Sequence, residues 1–221
     1  MSFKIAIDGP AGAGKSTIAK ALAQKISFLY VDTGAMYRAM AYYILTHGIR
    51  AEDGAAVQSV CGKIDVSLGY DNGLQNVYVN GENVSGEIRR EEVGNAASVV
   101  STYPAVREAL LTLQRGIAAK HDVIMDGRDI GTCILPDAQL KIYLTASAHT
   151  RALRRYKELE EKGEEADLDQ IERDIEERDD RDMHRAIAPL RAAEDAVTVD
   201  SSDMTIEEVV NAIYHLYENR R

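Results

Sequence analysis

Short apolar runs alternate with longer stretches of helical period along most of this chain. The run at 3–7 stops at Asp8, and residues 15–26 then place apolar side chains at helical spacing. A second apolar run at 28–31 precedes a helical stretch that ends near Gly48. This β-loop-α-β-α order predicts a parallel sheet with helices on both faces. Further strands are predicted at 122–126, 140–144 and 196–200, and further helices at 91–101, 104–119, 146–162, 168–185 and 205–220.

The pattern changes between about residues 63 and 92. Apolar and polar residues alternate there at strand period, and Asn-Gly breaks the run at Asn72-Gly73 and again at Asn80-Gly81. Asn-Gly between alternating residues is a strong hairpin signal, because both central residues of the turn need a positive φ. The segment is therefore predicted to form a three-stranded antiparallel meander inserted into the α/β body.

Residues 9–16 fit the pattern G-x-x-x-x-G-K-[ST] between an apolar strand and a helix, the context that a phosphate-binding loop requires. Gly12 and Gly14 let the backbone turn tightly and direct successive N–H groups at phosphate oxygens. The first turn of the helix adds partial positive charge at the same place. Lys15 supplies a full charge for the β- and γ-phosphates, and the Ser16 hydroxyl is a ligand for Mg²⁺. A glycine-rich turn that only packs tightly would not need Lys and Ser in register, so a nucleoside triphosphate is predicted to bind here. The residues predicted to bind it are Gly9, Pro10, Ala11, Gly12, Ala13, Gly14, Lys15, Ser16 and Thr17.

Two further clusters follow predicted strands at the edge of the sheet where ligands bind. Tyr37 and Arg38 offer an aromatic ring beside a guanidinium, which suits a nucleoside monophosphate. The alternative is a tyrosine packed in the core beside a surface arginine. At 126–129, Asp126 is a candidate for Mg²⁺ through water, and Arg128 for a transferring phosphoryl group. An Asp-Gly turn closed by a local ion pair explains that segment equally well on its own.

A third cluster lies in the charged stretch at 176–185. Arg178, Arg181, Asp182 and Arg185 are spaced i, i+3, i+4 and i+7, which predicts that they share one helical face. Most charge runs are solvated helices held by intrahelical salt bridges. Three arginines on one stripe of an acidic chain favour instead a lid that closes over phosphates and excludes water.

Composition narrows the classes of function. The chain has 221 residues and a net charge of -10, which argues against non-specific affinity for nucleic acid or for anionic membranes. No apolar run approaches the roughly 20 residues that span a bilayer. The N-terminus shows no signal peptide, and the two cysteines fit no metal or redox spacing, which together predict a cytoplasmic protein.

These segments together resemble the bacterial-type cytidylate kinases, a family of nucleoside monophosphate kinases with a phosphate loop. The resemblance covers essentially the whole chain. The meander and the segment that follows it distinguish this family from the adenylate, guanylate and thymidylate kinases, which are not expected to carry them. The matching segments are GPAGAGKST (9–17), DTGAMYR (32–38), VSGEIRREEVGNAAS (84–98), VREALL (106–111), DGRDIGT (126–132), ERDDRD (177–182) and APL (188–190).

The resemblance implies a three-layer α/β/α P-loop kinase fold with a central parallel sheet, a small antiparallel β insert and a helical lid. It implies one kinase domain over 1–221, with the insert at about 63–92 as the nucleoside-monophosphate-binding subdomain and the lid at about 151–189. The implied reaction uses ATP and Mg²⁺ to convert CMP or dCMP to CDP or dCDP in pyrimidine metabolism. The family also implies a monomer.

The resemblance further implies roles for individual residues. Asp129 is expected to accept from the cytosine amino group while Arg107 donates to N3 and O2, an arrangement that uracil reverses. UMP is therefore predicted to be a poor acceptor. The other implied roles are clamps on the acceptor phosphate (Arg38, Arg128, Arg185), a further cytosine reader (Ser98), the floor of that pocket (Thr33, Tyr37), partners of the ribose hydroxyls (Arg178, Asp182) and a contact to the ATP phosphates (Arg181).

Two other classes of function stay open on the motifs alone. A P-loop kinase for another small acceptor, such as shikimate, would explain the loop and the arginines but not the match over the whole length. A nucleotide-driven switch of the GTPase kind usually carries an N-K-x-D motif, and none occurs in this sequence.

Overall fold

The structure, a computed structural model, describes residues 2–71 and 73–221. Eight strands and eight longer helices are described. The strands are β1 Lys4–Asp8, β2 Leu29–Asp32, β3 Val66–Asp71, β4 Leu74–Val79, β5 Glu82–Asn83, β6 Val123–Gly127, β7 Leu140–Thr145 and β8 Val197–Asp200. The helices are α1 Lys15–Ile26, α2 Thr33–Thr46, α3 Gly54–Cys61, α4 Glu91–Val100, α5 Pro104–Lys120, α6 Ala148–Glu161, α7 Leu168–His184 and α8 Ile206–Glu218. A 3₁₀ turn at Glu87–Arg89 and a π-helical turn at Ile130–Ile134 complete the elements.

The chain divides into two compact units. The second unit comprises Phe3–Leu29 and Asp122–Arg221, and the first comprises Tyr30–His121 together with Ser2. The first unit extends well beyond the predicted insert at 63–92, and the antiparallel sheet takes up only part of it.

The central sheet has the strand order β2-β6-β1-β7-β8. The pairings of β1 with β6 and β7, and of β7 with β8, are parallel. The apolar residues of β1 and β6 have no exposed surface, as expected for parallel strands covered on both faces. In the register of this sheet Asp8 lies opposite Gly127, so the segments after β1 and β6 leave the sheet at the same edge. The predicted fold class is confirmed.

The first unit contains the predicted meander. Strands β3, β4 and β5 form an antiparallel sheet in chain order, with Val66 opposite Val79 and Tyr78 opposite Asn83. At the second turn Asn80 and Gly81 have φ of 51° and 85°, as predicted for a hairpin closed by Asn-Gly. The first predicted turn includes Asn72, which lies outside the described residues.

Three local predictions need correction. Helix α3 was not predicted; it begins after Asp53, whose side chain accepts from the Ala56 N–H at 3.0 Å as an N-cap. Between the strands predicted at 122–126 and 140–144 no regular element was predicted, but the structure contains a π-helical turn at Ile130–Ile134. Helix α7 ends at His184, and Arg185 has an extended backbone (φ -62°, ψ 142°), so Arg185 does not continue the helical stripe.

None of the helices in the described part of the chain combines the length and the apolar character needed to cross a membrane.

Candidate active site

The phosphate-binding loop connects β1 to α1 in the second unit. A Cβ on Gly9 would lie 1.9 Å from the Leu144 carbonyl oxygen, so no larger residue fits where the loop leaves the sheet. Gly14, the N-cap of α1, has φ 82°, a conformation that glycine adopts without strain. The strand, the turn and the helix therefore adopt the arrangement that the sequence pattern predicts.

Lys15 and Ser16, the first residues of α1, each contact a group of the loop or of β6. Lys15 is buried, and its Nζ donates to the Pro10 carbonyl at 2.7 Å. Burial lowers the pKa of Lys15, the nearby Arg128 lowers it further, and Asp126 acts in the opposite direction. Ser16 Oγ donates to Asp126 Oδ2 at 2.8 Å, so the two residues predicted to hold Mg²⁺ are in direct contact.

Asp8 is a buried acid at the carboxyl end of β1, and the sequence reasoning gave it no role. Its two oxygens accept from the N–H groups of Ile130 and Gly131, both at 2.7 Å. Burial raises the pKa of Asp8 to about 6, although the two backbone hydrogen bonds and Lys15 act against this. Asp8 thereby fixes the turn that directly follows Asp129.

The arginines predicted from the lid and from the segment after β6 are held by carboxylates of the same unit. Arg128 Nε donates to Asp182 Oδ2 at 2.9 Å, which joins two predicted site residues from distant parts of the chain. Arg185 Nη2 lies 3.5 Å from Asp129 Oδ1, and both side chains are buried. Guanidiniums held in this way are oriented before a ligand arrives.

The four residues of the predicted lid stripe differ in exposure. Asp182 is buried and Arg178 is half-buried, whereas Arg181 is exposed. The Nε of Arg178 is itself buried. The stripe is therefore not a uniformly solvated face, which was the alternative for this charge run.

Arg151, at the start of α6, is a second buried residue that the sequence did not single out. It is 4% exposed, and its guanidinium contacts the phosphate loop at Ala11 and the carboxylate of Asp179 in α7. In the sequence it looks like its neighbours Arg154 and Arg155, so only the structure separates them.

In the first unit, α2 presents the predicted acceptor-side residues. The Asp32 side chain accepts from the Ala35 N–H at 2.9 Å and caps the start of the helix. Thr33 is buried in the first turn, and Tyr37 and Arg38 follow it half-buried. A Cβ on Gly94 would lie 3.9 Å from Arg38 Nε, so the arginine passes over the glycine of α4.

Of the predicted cytosine readers of this unit, Arg107 lies near Tyr37. The Arg107 guanidinium carbon is 5.7 Å from the centre of the Tyr37 ring, and Arg107 Nη1 donates to the Ser101 carbonyl at 3.3 Å. Ser98 lies one turn earlier, and its carbonyl accepts from Ser101 Oγ at 2.9 Å. The unit thus brings Tyr37, Arg107 and the end of α4 together. Asp129, the third predicted reader, belongs to the second unit.

Comparison with known proteins identifies the family. The model of the family described as cytidylate kinase matches residues 5–219. The cytidylate kinase of Caldicellulosiruptor saccharolyticus is 49% identical over 215 residues, which cover 97% of this chain and 95% of that protein. That of Listeria innocua is 49% identical over 217 residues, covering 98% and 96%, and that of Lactobacillus johnsonii is 46% identical over 219 residues, covering 99% and 95%. The chain belongs to the cytidylate kinase family.

Membership of the cytidylate kinase family gives the reaction class. The chain is an ATP-dependent phosphotransferase that acts on CMP or dCMP, as the sequence predicts. The open alternatives, a kinase for an unrelated acceptor and a nucleotide-driven switch, are therefore set aside.

Solved structures with little sequence similarity share the fold of this cytidylate kinase family member. A sugar kinase from Janibacter sp. HTCC2649 aligns with TM-score 0.50 at 13% identity, covering 99% of this chain and 95% of that one. An uncharacterized protein from Eubacterium ventriosum ATCC 27560 aligns with TM-score 0.54 at 11% identity, covering 99% and 100%. At such identities the likeness concerns the fold alone.

Proposed function

We propose that phosphoryl transfer from ATP to CMP or dCMP is carried by the cations at the carboxyl ends of β1 and β6, led by Lys15 and Arg128. One observation supports this most directly. Besides burial, both Arg128 and Arg178 lower the pKa of Lys15, in a chain with a net charge of -10. Like charges gathered in a buried place repel one another, and bound phosphates relieve that repulsion. Because the acceptor oxygen of a monophosphate is already anionic, these residues act through position and charge and need no general base.

The remaining roles follow the family resemblance. The ion pair of Arg128 with Asp182 supports a coupling between the phosphate clamp and the ribose contact, and the stacking of Arg107 on Tyr37 supports a platform for the base. Arg181, the exposed arginine of the stripe, is assigned to the ATP phosphates, as the resemblance implies. In the full assignment, the acceptor phosphate is bound by Arg38, Arg128 and Arg185, and the ribose by Arg178 and Asp182. The base is read by Ser98, Arg107 and Asp129, with Thr33 and Tyr37 as the floor of its pocket. The triphosphate is bound by residues 9–17 and Arg181.

Ser16 and Asp126 fit a magnesium ion. Mg²⁺ takes oxygen ligands and usually uses one or two protein groups beside phosphates and water. The Ser16 hydroxyl and the buried Asp126 carboxylate, 2.8 Å apart, offer two such oxygens beside the phosphate loop. When bound, the ion neutralises charge on the β- and γ-phosphates. We also propose that the protein is a monomer, as the resemblance implies, and that it acts in the cytoplasm, as the sequence analysis predicts.

The proposed base contacts predict discrimination between cytosine and uracil. Asp129 is a buried acceptor, so the carbonyl that uracil carries at position 4 would face a carboxylate. Leaving such a group without its donor costs about 1–3 kcal/mol, which corresponds to roughly tenfold to a hundredfold in kcat/KM.

A coupled ADP-release assay with Mg·ATP tests the proposal on a panel of CMP, dCMP, UMP, AMP, dTMP and shikimate. Turnover confined mainly to CMP and dCMP is expected, with UMP lower by at least about tenfold. Comparable kcat/KM for UMP and CMP would overturn the base contacts while leaving the kinase intact. Turnover of another acceptor alone would overturn the substrate.

A further inference from the structure

Arg151 is buried on a helix whose other residues, apart from Ala152, are half-buried or exposed. Of the fourteen residues of α6, Arg151 and Ala152 are the buried ones. A buried guanidinium is destabilising unless its donors are satisfied, so its burial requires specific partners.

The donors of Arg151 reach three separate parts of the second unit. Nε donates to the Ala146 carbonyl at 2.9 Å, just before α6 begins. Nη1 donates to the Ala11 carbonyl in the phosphate loop at 2.9 Å, and Nη2 donates to Asp179 Oδ2 in α7 at 2.6 Å. One side chain therefore connects α6, the phosphate loop and α7.

The bond to Ala11 fixes the direction of a peptide group in the loop. In a planar trans peptide the C=O and the following N–H point in opposite directions, so holding the Ala11 carbonyl directs the Gly12 N–H away from Arg151. A Cβ on Gly12 would lie 3.4 Å from Arg151 Cβ, so the arginine stem also packs closely on this peptide. Loops of this type bind phosphate through backbone N–H groups, whose direction is therefore part of the site.

The bond to Asp179 holds α7 next to the residues proposed to contact nucleotides. Asp179 lies between Arg178 and Arg181 in the sequence and is buried. Its second oxygen, Oδ1, is buried and has no hydrogen-bond partner among the described residues, so the Arg151 guanidinium is the counter-charge that this carboxylate contacts. Without Arg151, α7 would carry a buried charge at this point.

We propose that Arg151 is a positioning residue for ATP: it orients the Ala11–Gly12 peptide of the phosphate loop and holds α7 against that loop through Asp179. The inference rests on the proposed function in taking the loop as the triphosphate site. Arg151 itself touches neither the nucleotide nor the reacting atoms in this proposal.

The test measures Mg·ATP binding by calorimetry, with no acceptor present, together with KM for both substrates and thermal unfolding. Arg151→Ala is expected to weaken Mg·ATP binding by about tenfold or more, the size expected for a charge-assisted hydrogen bond, with KM for CMP unchanged. Arg151→Lys keeps the charge and one donor direction, so an intermediate loss is expected. Arg155→Ala is the matched control, because Arg155 is a half-buried arginine of the same helix that pairs with Glu158.

Asp179→Asn and the double variant separate positioning from general stability. If Arg151 and Asp179 act through one linkage, the double variant binds Mg·ATP no more weakly than Arg151→Ala alone. A purely structural role would lower the melting temperature and leave the affinity of the folded fraction for ATP unchanged, and that result would overturn the inference. Equal losses for ATP and CMP would also overturn it.

Should Arg151→Ala fail to fold, Arg151→Lys and Asp179→Asn carry the same comparison. Failure of the wild type to phosphorylate CMP would refute the proposed acceptor but would leave this ATP-binding test intact.

Discussion

At the scale of one residue, the carboxylate of Asp8 must be both ionised and buried. It must be ionised to accept from both the Ile130 and the Gly131 N–H, yet burial disfavours its charge and raises its pKa from 3.8 to about 6. Asp129 acts in the same direction as burial, and Lys15 acts against it. The protein therefore tolerates an unfavourable ionisation in order to fix the turn behind Asp129.

This balance predicts a dependence of stability on pH. Since the pKa in the folded state exceeds the value in the unfolded chain, the folded state binds the proton more tightly, and this stabilisation is lost as pH rises from about 4 to 6. A shift from 3.8 to about 6 corresponds to about 3 kcal/mol. The difference in unfolding free energy between the wild type and Asp8→Asn should fall by about 2 kcal/mol between pH 4 and 6, the part of this stabilisation that is lost in that range, as measured by urea unfolding at several pH values. A difference that stays constant from pH 4 to 6 would contradict the assignment.

The sequence could not have predicted the role of Asp8 or of Arg151. In the sequence Asp8 only marks the end of an apolar strand, and its hydrogen-bond donors lie more than 120 positions away. Arg151 looks in the sequence like its neighbours Arg154 and Arg155, which are only half-buried. Lys15 and Ser16 were predictable because the loop motif fixes their surroundings within a few residues.

At the scale of elements, the meander of the first unit holds the start of α2. Gln75 in β4 brackets the backbone of Asp32: its Oε1 accepts from the Asp32 N–H at 2.9 Å, and its Nε2 donates to the Asp32 carbonyl at 3.3 Å. Tyr70 in β3 donates to the Tyr30 carbonyl at 3.2 Å. The antiparallel sheet is thereby connected to the helix that carries Tyr37 and Arg38.

Removing the two hydrogen bonds between Gln75 and the Asp32 backbone should weaken CMP binding selectively. Gln75→Ala deletes two hydrogen bonds, and each is worth about 1 kcal/mol, so the first turn of α2 is expected to loosen. KM for CMP should rise several-fold, while KM for ATP stays unchanged because the phosphate loop lies in the other unit. Steady-state kinetics with each substrate varied in turn would show this, and Gln58→Ala on the exposed face of α3 is the control. A rise in KM for ATP of the same size would contradict the selective role.

The elements themselves were largely predictable, and the exceptions have physical reasons. Strands β1 and β6 carry consecutive apolar residues (5–7 and 123–125) because they are buried on both faces. In the meander, apolar and polar residues alternate, and two Asn-Gly turn signals separate the strands. Helix α3 has only eight residues and begins with Gly54, so its period was too short to detect although Asp53 marked its start. Arg185 was placed on a helix because spacing alone does not show where a charged helix ends.

At the scale of the molecule, an acidic chain concentrates cations where an anionic substrate is expected. With a net charge of -10, long-range attraction does not bring nucleotides to this protein. The local pairs of Arg128 with Asp182 and of Arg185 with Asp129 keep guanidiniums in place within the second unit. Which arginine meets which carboxylate was not predictable, because these partners are more than 50 positions apart and are brought together only by folding.

The proposed contacts predict that Mg·ATP and CMP protect different peptides from hydrogen exchange. Mg·ATP alone should protect the peptides that span 9–17 in the second unit, and CMP alone should protect those that span 33–38 and 98–107 in the first. At a ligand concentration of 100 times Kd, exchange that requires the ligand-free state slows by about a hundredfold. Mass spectrometry of the exchanged peptides, with each nucleotide added separately, measures both effects.

A Lys15→Ala variant makes the exchange experiment selective. It removes the charge proposed to contact the β- and γ-phosphates, so protection by Mg·ATP should be lost while protection by CMP persists. If CMP left 33–38 and 98–107 unprotected in the wild type, Tyr37, Arg38, Ser98 and Arg107 would not be its ligands, and the acceptor site would have to be sought elsewhere. Protection of 33–38 and 98–107 by Mg·ATP alone would contradict the assignment of these peptides to the acceptor.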